Sequence, residues 1–500
     1  MMELVTTTGG SQLSGIGYLA PEMILVAAAS VLIVLDLLFE RKRIVALAGV
    51  LGCLAALIAA AWLFASGDTA TVLNGMFVLD GYGSFFKFFF YLTCILTICM
   101  SVEYLEVEGV TFGEYYAVLL LATAGMAFMV SAADLIVLFL GLELTTLSTY
   151  ILIGIKRESH RSNEAAIKYF LLGGFSTAFL LYGIALVYGL TGTTQIDAIA
   201  AAVAAGTGAT GAMVLLPVAL VVVGFGFKIS AAPFHMWAPD VYEGAPTPVT
   251  AFLSVGSKIA AFAALGRVLA RAFDPTPEMW TTLLMVLAVL SMGVGSILAL
   301  TQTNIKRMLA YSSIAHAGYA LLGLIAGGRE GLTGMMVYLV IYGLMNLGAF
   351  SVVIALRSQD VAGEDLGSFE GLARVHPKIS ALMLVFMFSL VGIPPTAGFV
   401  AKFSVFMAVI RAGHIPLALI GVVFSVLSAF FYLRVVVLMY MKEPRSEVSL
   451  TTSLPLKLVL AATAAAIVVL WVYPAPLLDL ATAAMAGWEQ SSAIAAAVLP

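Results

Sequence analysis

The chain has 500 residues, of which 62% are hydrophobic and 10% charged, with a net charge of −4 at neutral pH. Its mean hydropathy is +1.07, whereas a soluble globular chain carries about 25% charged residues, so the composition points to a polytopic membrane protein. No basic patch announces nucleic acid, and no phosphate-binding glycine loop, dinucleotide fingerprint, metal-ligand cluster or nucleophile elbow stands in the sequence.

The polar stretch from Met1 to Gly17, charged only at Glu3, lacks the basic start of a cleaved leader. The first apolar run is therefore expected to be a retained helix. A bilayer core takes about 20 apolar residues per helix. Spans are predicted at 19–39, 44–65, 82–103, 113–131, 133–155, 164–190, 212–235, 247–271, 280–300, 305–326, 333–357, 379–411, 415–440 and 456–476, fourteen in all. The stretch from Pro474 to Pro500 is apolar but interrupted and reads as an interfacial tail. Cys53, Cys94 and Cys99 form no CxxC pair and read as small buried hydrophobes. Lys87, in the aromatic run Phe85 to Tyr91, reads as a snorkelling lysine in an aromatic belt. Asp36, Arg267 and Arg434 lie near span ends and read as interfacial.

Lysine and arginine favour cytoplasmic loops. With the N-terminus outside, the loops holding Arg41, Lys42 and Arg43, then Lys156, Arg157 and Arg161, then Lys306 and Arg307 all fall inside. So do those holding Arg357, Arg374 and Lys378, and Lys442, Arg445 and Lys457. The opposite loops carry only Arg271, Arg329 and Arg411, and the stretches 66–75 and 191–211 have no cation. An even span count returns the C-terminus to the outside. No connection is long enough for a soluble domain.

Five charges fall well inside predicted spans: Glu143, Lys168, Lys228, Lys258 and Lys402. A charge at the bilayer centre costs roughly 2.5–3.5 kcal/mol on insertion scales, so each is a functional candidate. Removal from water disfavours the charged form, and an opposite charge restores it, so a Glu–Lys pair that forms and breaks would switch proton affinity. Glu143 is followed by Thr145, Thr146 and Ser148, able to hold water or carry a proton; Lys168 lies near the start of its helix, where reaching the interface is the competing role. Pro233 follows Lys228 by five residues, and Pro394-Pro395 precedes Lys402. Pro233 would free the carbonyl of Ile229, and Pro394-Pro395 those of Leu390 and Val391. Irregular backbone at membrane depth survives only inside protein or along a wet cavity. Paired breaks mark internal-repeat transporters. The expected fold is all-α and polytopic, with about fourteen transmembrane helices. Two inverted five-helix repeats (helices 4–8 and 9–13) would contain discontinuous helices 7 and 12. The corresponding boundaries are an N-terminal three-helix segment at 1–112, repeats at 113–271 and 280–440, and a last helix with its tail at 441–500. His316, mid-span among hydroxyls, and His235, two residues past Pro233, are candidate relays, with Ser312 as the expected partner if His316 is merely structural. Lys306 is expected either to anchor topology or to feed a proton path, while His160, His376 and His414 read as solvated loop residues.

The stretch Gly226-Phe-Lys-Ile-Ser-Ala-Ala-Pro-Phe-His-Met-Trp-Ala-Pro-Asp-Val-Tyr-Glu-Gly-Ala-Pro-Thr-Pro248 resembles the hallmark segment of the antiporter-like subunits of respiratory complex I. Lys306 to Gly318 and Gly392 to Lys402 resemble it too, and the resemblance covers roughly 115–440. Within the family, 239–246 is most similar to the subunit N branch of bacterial NADH–quinone oxidoreductase. The resemblance implies that Glu143 is the helix-5 glutamate, Lys228 its helix-7 partner, Lys258 the central lysine of helix 8 and Lys402 the terminal group of helix 12. Lys168 would be the additional helix-6 lysine of subunit N. A lysine at 402 favours N or L over M, and the long lateral helix of L is not expected within this length. The implied function is proton translocation coupled to electron transfer from NADH to quinone. NADH, FMN, Fe–S clusters and quinone are expected on other subunits, with no cofactor or metal on this chain. Implied partners are other membrane subunits, with M and K as neighbours, in a bacterial inner membrane with both termini periplasmic. The rivals are a subunit of an Mrp-type Na⁺/H⁺ antiporter, a structural spacer whose charges only lock helices together, and a small-molecule carrier.

Overall fold

Apolar runs punctuated by glycine, proline and capping side chains build one helix after another. In the computed structural model, residues 12–498 are described except 111, 207–210, 357–362, 445–449 and 451. The start of the polar N-terminal stretch, including Glu3, and the loop cations Arg357 and Arg445 lie outside the described residues. In chain order the helices begin with α1 (Ala20–Leu38), α2 (Lys42–Ser66), α3 (Gly81–Val107), α4 (Glu114–Val130), α5 (Leu135–Ile153) and α6 (His160–Thr191). Next come α7 (Ile196–Ala204), α8 (Gly211–Lys228), α9 (Trp237–Gly244) and α10 (Thr247–Ala272). They continue as α11 (Pro277–Ala299), α12 (Ile305–Ala326), α13 (Gly328–Ala355), α14 (Pro377–Val391) and α15 (Ala397–Arg411). The last are α16 (Ile415–Met441), α17 (Leu454–Val472) and α18 (Ala475–Val498).

Eleven described helices are long and apolar enough to cross a membrane, and three shorter apolar ones at 114–130, 213–228 and 377–391 stand at the remaining predicted spans. Asp134 caps α5 by accepting from the Ile136 amide at 2.7 Å, and Asn304 caps α12 through the amides of Lys306 and Arg307. Helix α10 is wholly buried, α12 and α13 nearly so, whereas α1, α2, α6, α16 and α17 expose an apolar face. The charged and hydroxyl groups inside the bundle are carried chiefly by the helices that pack around α10, α12 and α13.

Three features depart from the sequence expectations. The loop 66–75 leads into a hairpin, β1 (Ala70–Val72) antiparallel to β2 (Phe77–Leu79), pairing Ala70 with Leu79. Leu73 and Asn74 turn it with φ of 55° and 56°. The cation-free stretch 191–211 contains the short helix α7. The tail is one helix rather than an interrupted segment, and it packs against α3 and α13. Hairpin, α7 and the middle of α18 share one end of the bundle; Lys156, Arg161 and Lys306 mark the other.

Candidate functional site

Helix α8 ends at Lys228, so the break begins five residues before Pro233. The Phe227 carbonyl, in the last turn of α8, accepts the Trp237 indole at 2.8 Å and the Ser230 amide at 3.0 Å. Ser230 turns the chain at φ 58°, and the Ala232 amide donates to Ser291 Oγ at 2.8 Å. Every one of these bonds replaces a helical bond, as buried backbone requires. The Lys228 ammonium, 5% exposed, donates to Thr146 Oγ1 of α5 at 2.6 Å and lies 5.3 Å from the Tyr169 ring.

Glu143, about one helical turn before Thr146, is half-buried and accepts from Thr177 Oγ1 of α6 at 2.9 Å. The expected Glu143–Lys228 ion pair is not closed: no contact within 4.0 Å joins them among the described residues. Each carboxylate or ammonium is instead held by a threonine on a neighbouring helix.

Lys258 follows one turn of π-helix, Leu253–Ser257, which shifts the register of α10 by one residue and turns the lysine inward. Its ammonium donates to the Ser313 carbonyl of α12 at 2.9 Å and bonds Ser313 Oγ as well. Ser313 Oγ also accepts from Tyr342 of α13 at 2.8 Å, and Tyr342 in turn accepts from Asn346 Nδ2 at 2.7 Å. One turn along α12, His316 is held between two phenols, Tyr338 at Nδ1 (2.6 Å) and Tyr432 of α16 at Nε2 (3.1 Å). Ser312 reaches the imidazole only through Tyr432, to which it is hydrogen-bonded. The tyrosines and Asn346 were missed by sequence reading. Their spacing, Tyr338, Tyr342 and Asn346 at intervals of four, places them on one face of α13 and could have exposed them.

The second break lies between α14 and α15. Gly392 ends α14 at φ 86°, and Lys402, one further helix beyond Pro394-Pro395, folds back across the gap. Its ammonium donates to the Val391 carbonyl at 2.6 Å and to Ser425 Oγ of α16 at 2.8 Å, 4.8 Å from the Tyr319 ring. A Cβ at Gly392 would come within 2.8 Å of Lys402 Cδ, so the glycine is required by this lysine as well as by its φ. Val391, one of the two carbonyls expected to be freed, is thus satisfied by the lysine itself.

The other expected residues fall outside this buried row. Lys168 has a 41% exposed side chain and pairs with Glu164 and Asp240, each at 2.7 Å. With Arg161, Glu243 and Arg307 it lines a polar cavity of about 190 Å³. Lys306, buried, donates to the Glu243 and Ala245 carbonyls at 2.8 Å, closing the C-terminal end of α9. His235 is half-buried in the first break, and its Nδ1 is buried without a hydrogen-bond partner among the described residues. Pro233, Pro394 and Pro395 all lie on the exposed side of their breaks.

Two interfacial expectations are overturned. Lys87 is 1% exposed and pairs with a fully buried Glu22 at 2.6 Å, under the Phe77 ring. Snorkelling fails because the α1 carboxylate is nearer than the surface. Arg267 is likewise 1% exposed, gripping Asp80 with both terminal nitrogens at 2.8 and 2.9 Å while its Nε donates to the Val130 carbonyl. Among the described residues no group of three or more His, Cys, Asp or Glu is arranged to hold a metal. Cys53 and Cys94 are buried and face one another as free thiols 3.4 Å apart.

A family model described as "NADH:quinone oxidoreductase/Mrp antiporter, TM" matches residues 132–428. The chain is 46% identical over 461 residues to NADH-quinone oxidoreductase subunit N 2 of Rhizobium meliloti, covering 92% of this chain and 96% of the relative. It is 42% identical to subunit N of Rhodospirillum rubrum, covering 94% of this chain and 96% of that one. Among solved structures, a chain of Thermus thermophilus respiratory complex I with bound aureothin superposes with a TM-score of 0.79 at 32% identity, covering 92% of this chain and 99% of that one. A chain of the Mrp complex of Dietzia sp. superposes at 0.85 with 24% identity, covering 96% and 99%, a likeness of fold. The chain therefore belongs to the NADH:quinone oxidoreductase and Mrp antiporter transmembrane family, within its subunit N group.

Proposed function

We propose that this chain is a proton-translocating membrane-arm subunit of a respiratory NADH:quinone oxidoreductase. The observation that carries the reading is the row of three buried lysines, Lys228, Lys258 and Lys402, each held by a hydroxyl and none by a carboxylate within ion-pair distance among the described residues. An ammonium held by neutral acceptors is not locked in an ion pair, so its hydrogen bonds can be exchanged when a nearby charge moves. Lys228 and Lys258 hold protons along the axis, and Lys402 hands them outward. His316, with a phenol on each ring nitrogen, accepts on one side and donates on the other; His235 relays at the first break. Lys168 serves at the mouth of the path, within its ion cluster. Glu143 acts as the gate: apart from Lys228 it leaves the lysine free to lose a proton, and drawn onto it would hold the lysine charged.

The hydrogen bonds form groups around Lys228, around Lys258, around His316 and around Lys402, so transfer between groups requires a side-chain or water movement. The units of the chain are 1–112, the two repeats 113–271 and 280–440, and 441–500. Both termini face the periplasm of a bacterial inner membrane. NADH, FMN, Fe–S clusters and quinone are carried by other subunits, and subunits M and K are the neighbours. The outward-facing prolines of both breaks support neighbouring protein over them, because lipid cannot satisfy irregular backbone. The Mrp reading is supported by a likeness of fold at 24% identity, whereas the subunit N relatives reported above are 42–46% identical over most of the chain.

The test is Lys228→Ala in the assembled complex, followed by quinone-coupled proton pumping in vesicles. Strong impairment with intact assembly is expected; undiminished pumping would falsify the role of Lys228. Co-purification with flavin and Fe–S subunits supports this reading, whereas Na⁺/H⁺ exchange without electron transfer supports the Mrp one.

A further inference from the structure

A cavity of about 780 Å³ opens on the flank of the bundle at the hairpin end, away from the lysine row. Its walls come from α13, α15 and the junction of α17 with α18. The floor is apolar: Phe399, Phe403, Met407, Trp471 and Leu478. The rim is charged and balanced, with Arg411 paired to Glu330 and Arg329 3.5 Å from Glu489. All four rim side chains are between 46% and 63% exposed, so each retains hydrogen-bonding capacity.

From Arg411 to Phe399 the groove follows α15 for twelve residues, about 18 Å at the helical rise. That is close to one leaflet, half of a hydrocarbon core of about 30 Å. Trp471 lies 6.0 Å from the Phe399 ring, so aromatic side chains of two helices meet in the floor of the groove. An apolar trough one leaflet deep, with a neutral rim offering both guanidinium and carboxylate, matches one class of molecule.

We infer that the groove between α13, α15 and α17 is a binding site for a phospholipid with a zwitterionic headgroup. One acyl chain lies along Phe399 and Phe403, the phosphate meets Arg329 and Arg411, and the headgroup amine meets Glu330 and Glu489. A purely anionic headgroup would leave the two carboxylates facing like charge. The chain fills the back of α15, whose front presents Lys402 to Ser425.

The experiment uses the assembled complex in vesicles of mixed phosphatidylethanolamine and phosphatidylglycerol. A phosphatidylethanolamine with a diazirine in one acyl chain is photolysed, and the adducts are mapped by mass spectrometry. Adducts are expected on 399–407 and 471–478 at about tenfold the level on the exposed face of α2, a ratio equal to about 1.4 kcal/mol of preference. Ser404→Trp, which fills the groove, is expected to remove that excess. If this variant does not assemble, Thr333→Leu takes its place. Equal or stronger labelling by the phosphatidylglycerol probe would overturn the headgroup assignment. Labelling no higher than on α2, or a crosslink from the groove to a second polypeptide, would overturn the site.

Discussion

A lysine ammonium taken out of water needs acceptors within reach, and the three buried lysines find different ones. Lys228 takes a threonine hydroxyl, Lys258 a serine and its carbonyl, Lys402 the open carbonyl of a broken helix. Thr146 is the single hydrogen-bond acceptor of Lys228 among the described residues, so Thr146→Ala leaves the ammonium unsatisfied at about 1–3 kcal/mol. Pumping by the assembled complex is expected to fall by about tenfold in that variant, while Thr146→Ser keeps most of it; proton-uptake assays in vesicles decide this. Equal pumping by both would remove Thr146 from the path. Outside the spans, burial pushes the Asp197 carboxyl up, against the opposing pull of Arg271 at 3.3 Å. A carboxyl raised on folding contributes stability that is complete below its unfolded value and lost as pH rises through the folded one. The thermal stability of wild type relative to Asp197→Asn should therefore decline as pH rises above about 4, the ordinary aspartate value. A flat difference would show that Arg271 cancels the burial.

Helix elements meet at close approaches that only glycine permits. A Cβ on Gly398 would lie 1.7 Å from the Ser389 carbonyl oxygen, at the point where α15 returns against α14. Gly398→Ala is expected to cost about 1–3 kcal/mol or more, as overpacking does, and to displace Lys402 from Val391. Gly174, on the exposed face of α6, has nothing within 4 Å of its Cβ position. Gly174→Ala should be neutral or stabilise by about 0.5–1 kcal/mol. Thermal unfolding of the two assembled variants tests the contrast, and equal shifts would refute the packing argument. The π turn before Lys258 is an element-level device of the same kind, since it sets which way the lysine points.

At the scale of the molecule, the hairpin end is tied by charges that the proposed proton row does not use. Asp80 caps α3, grips Arg267 of α10 and accepts from Ser491 of α18, while Trp488 of α18 stacks within 5.0 Å of Arg267. Removing one partner of such a buried pair costs about 3–5 kcal/mol, whereas apolar replacement of both is often neutral. Arg267→Met alone should therefore lower assembly and thermal stability, and adding Asp80→Asn, which removes the uncompensated charge while keeping an acceptor for the Gly83 amide, should recover part of both. Pumping per assembled complex should stay near wild type throughout; its loss in the assembled double variant would place the pair on the proton path.

Span positions, the two breaks and the buried charges Lys228, Lys258 and Lys402 were legible from residues alone. Hydropathy over about 20 residues, the missing donor of proline and the cost of an unsolvated charge are local quantities. Partner choice was not local. Lys87 reads as a snorkelling lysine until Glu22, 65 positions away along the chain, is brought 2.6 Å from it, and Arg267 reads as interfacial until Asp80 closes on it. The same limit hid the phenols around His316, the separation of Glu143 from Lys228, the packing of α18 and the flank groove. Each depends on which helices touch, and packing across the bundle decides that, not the order of residues along it.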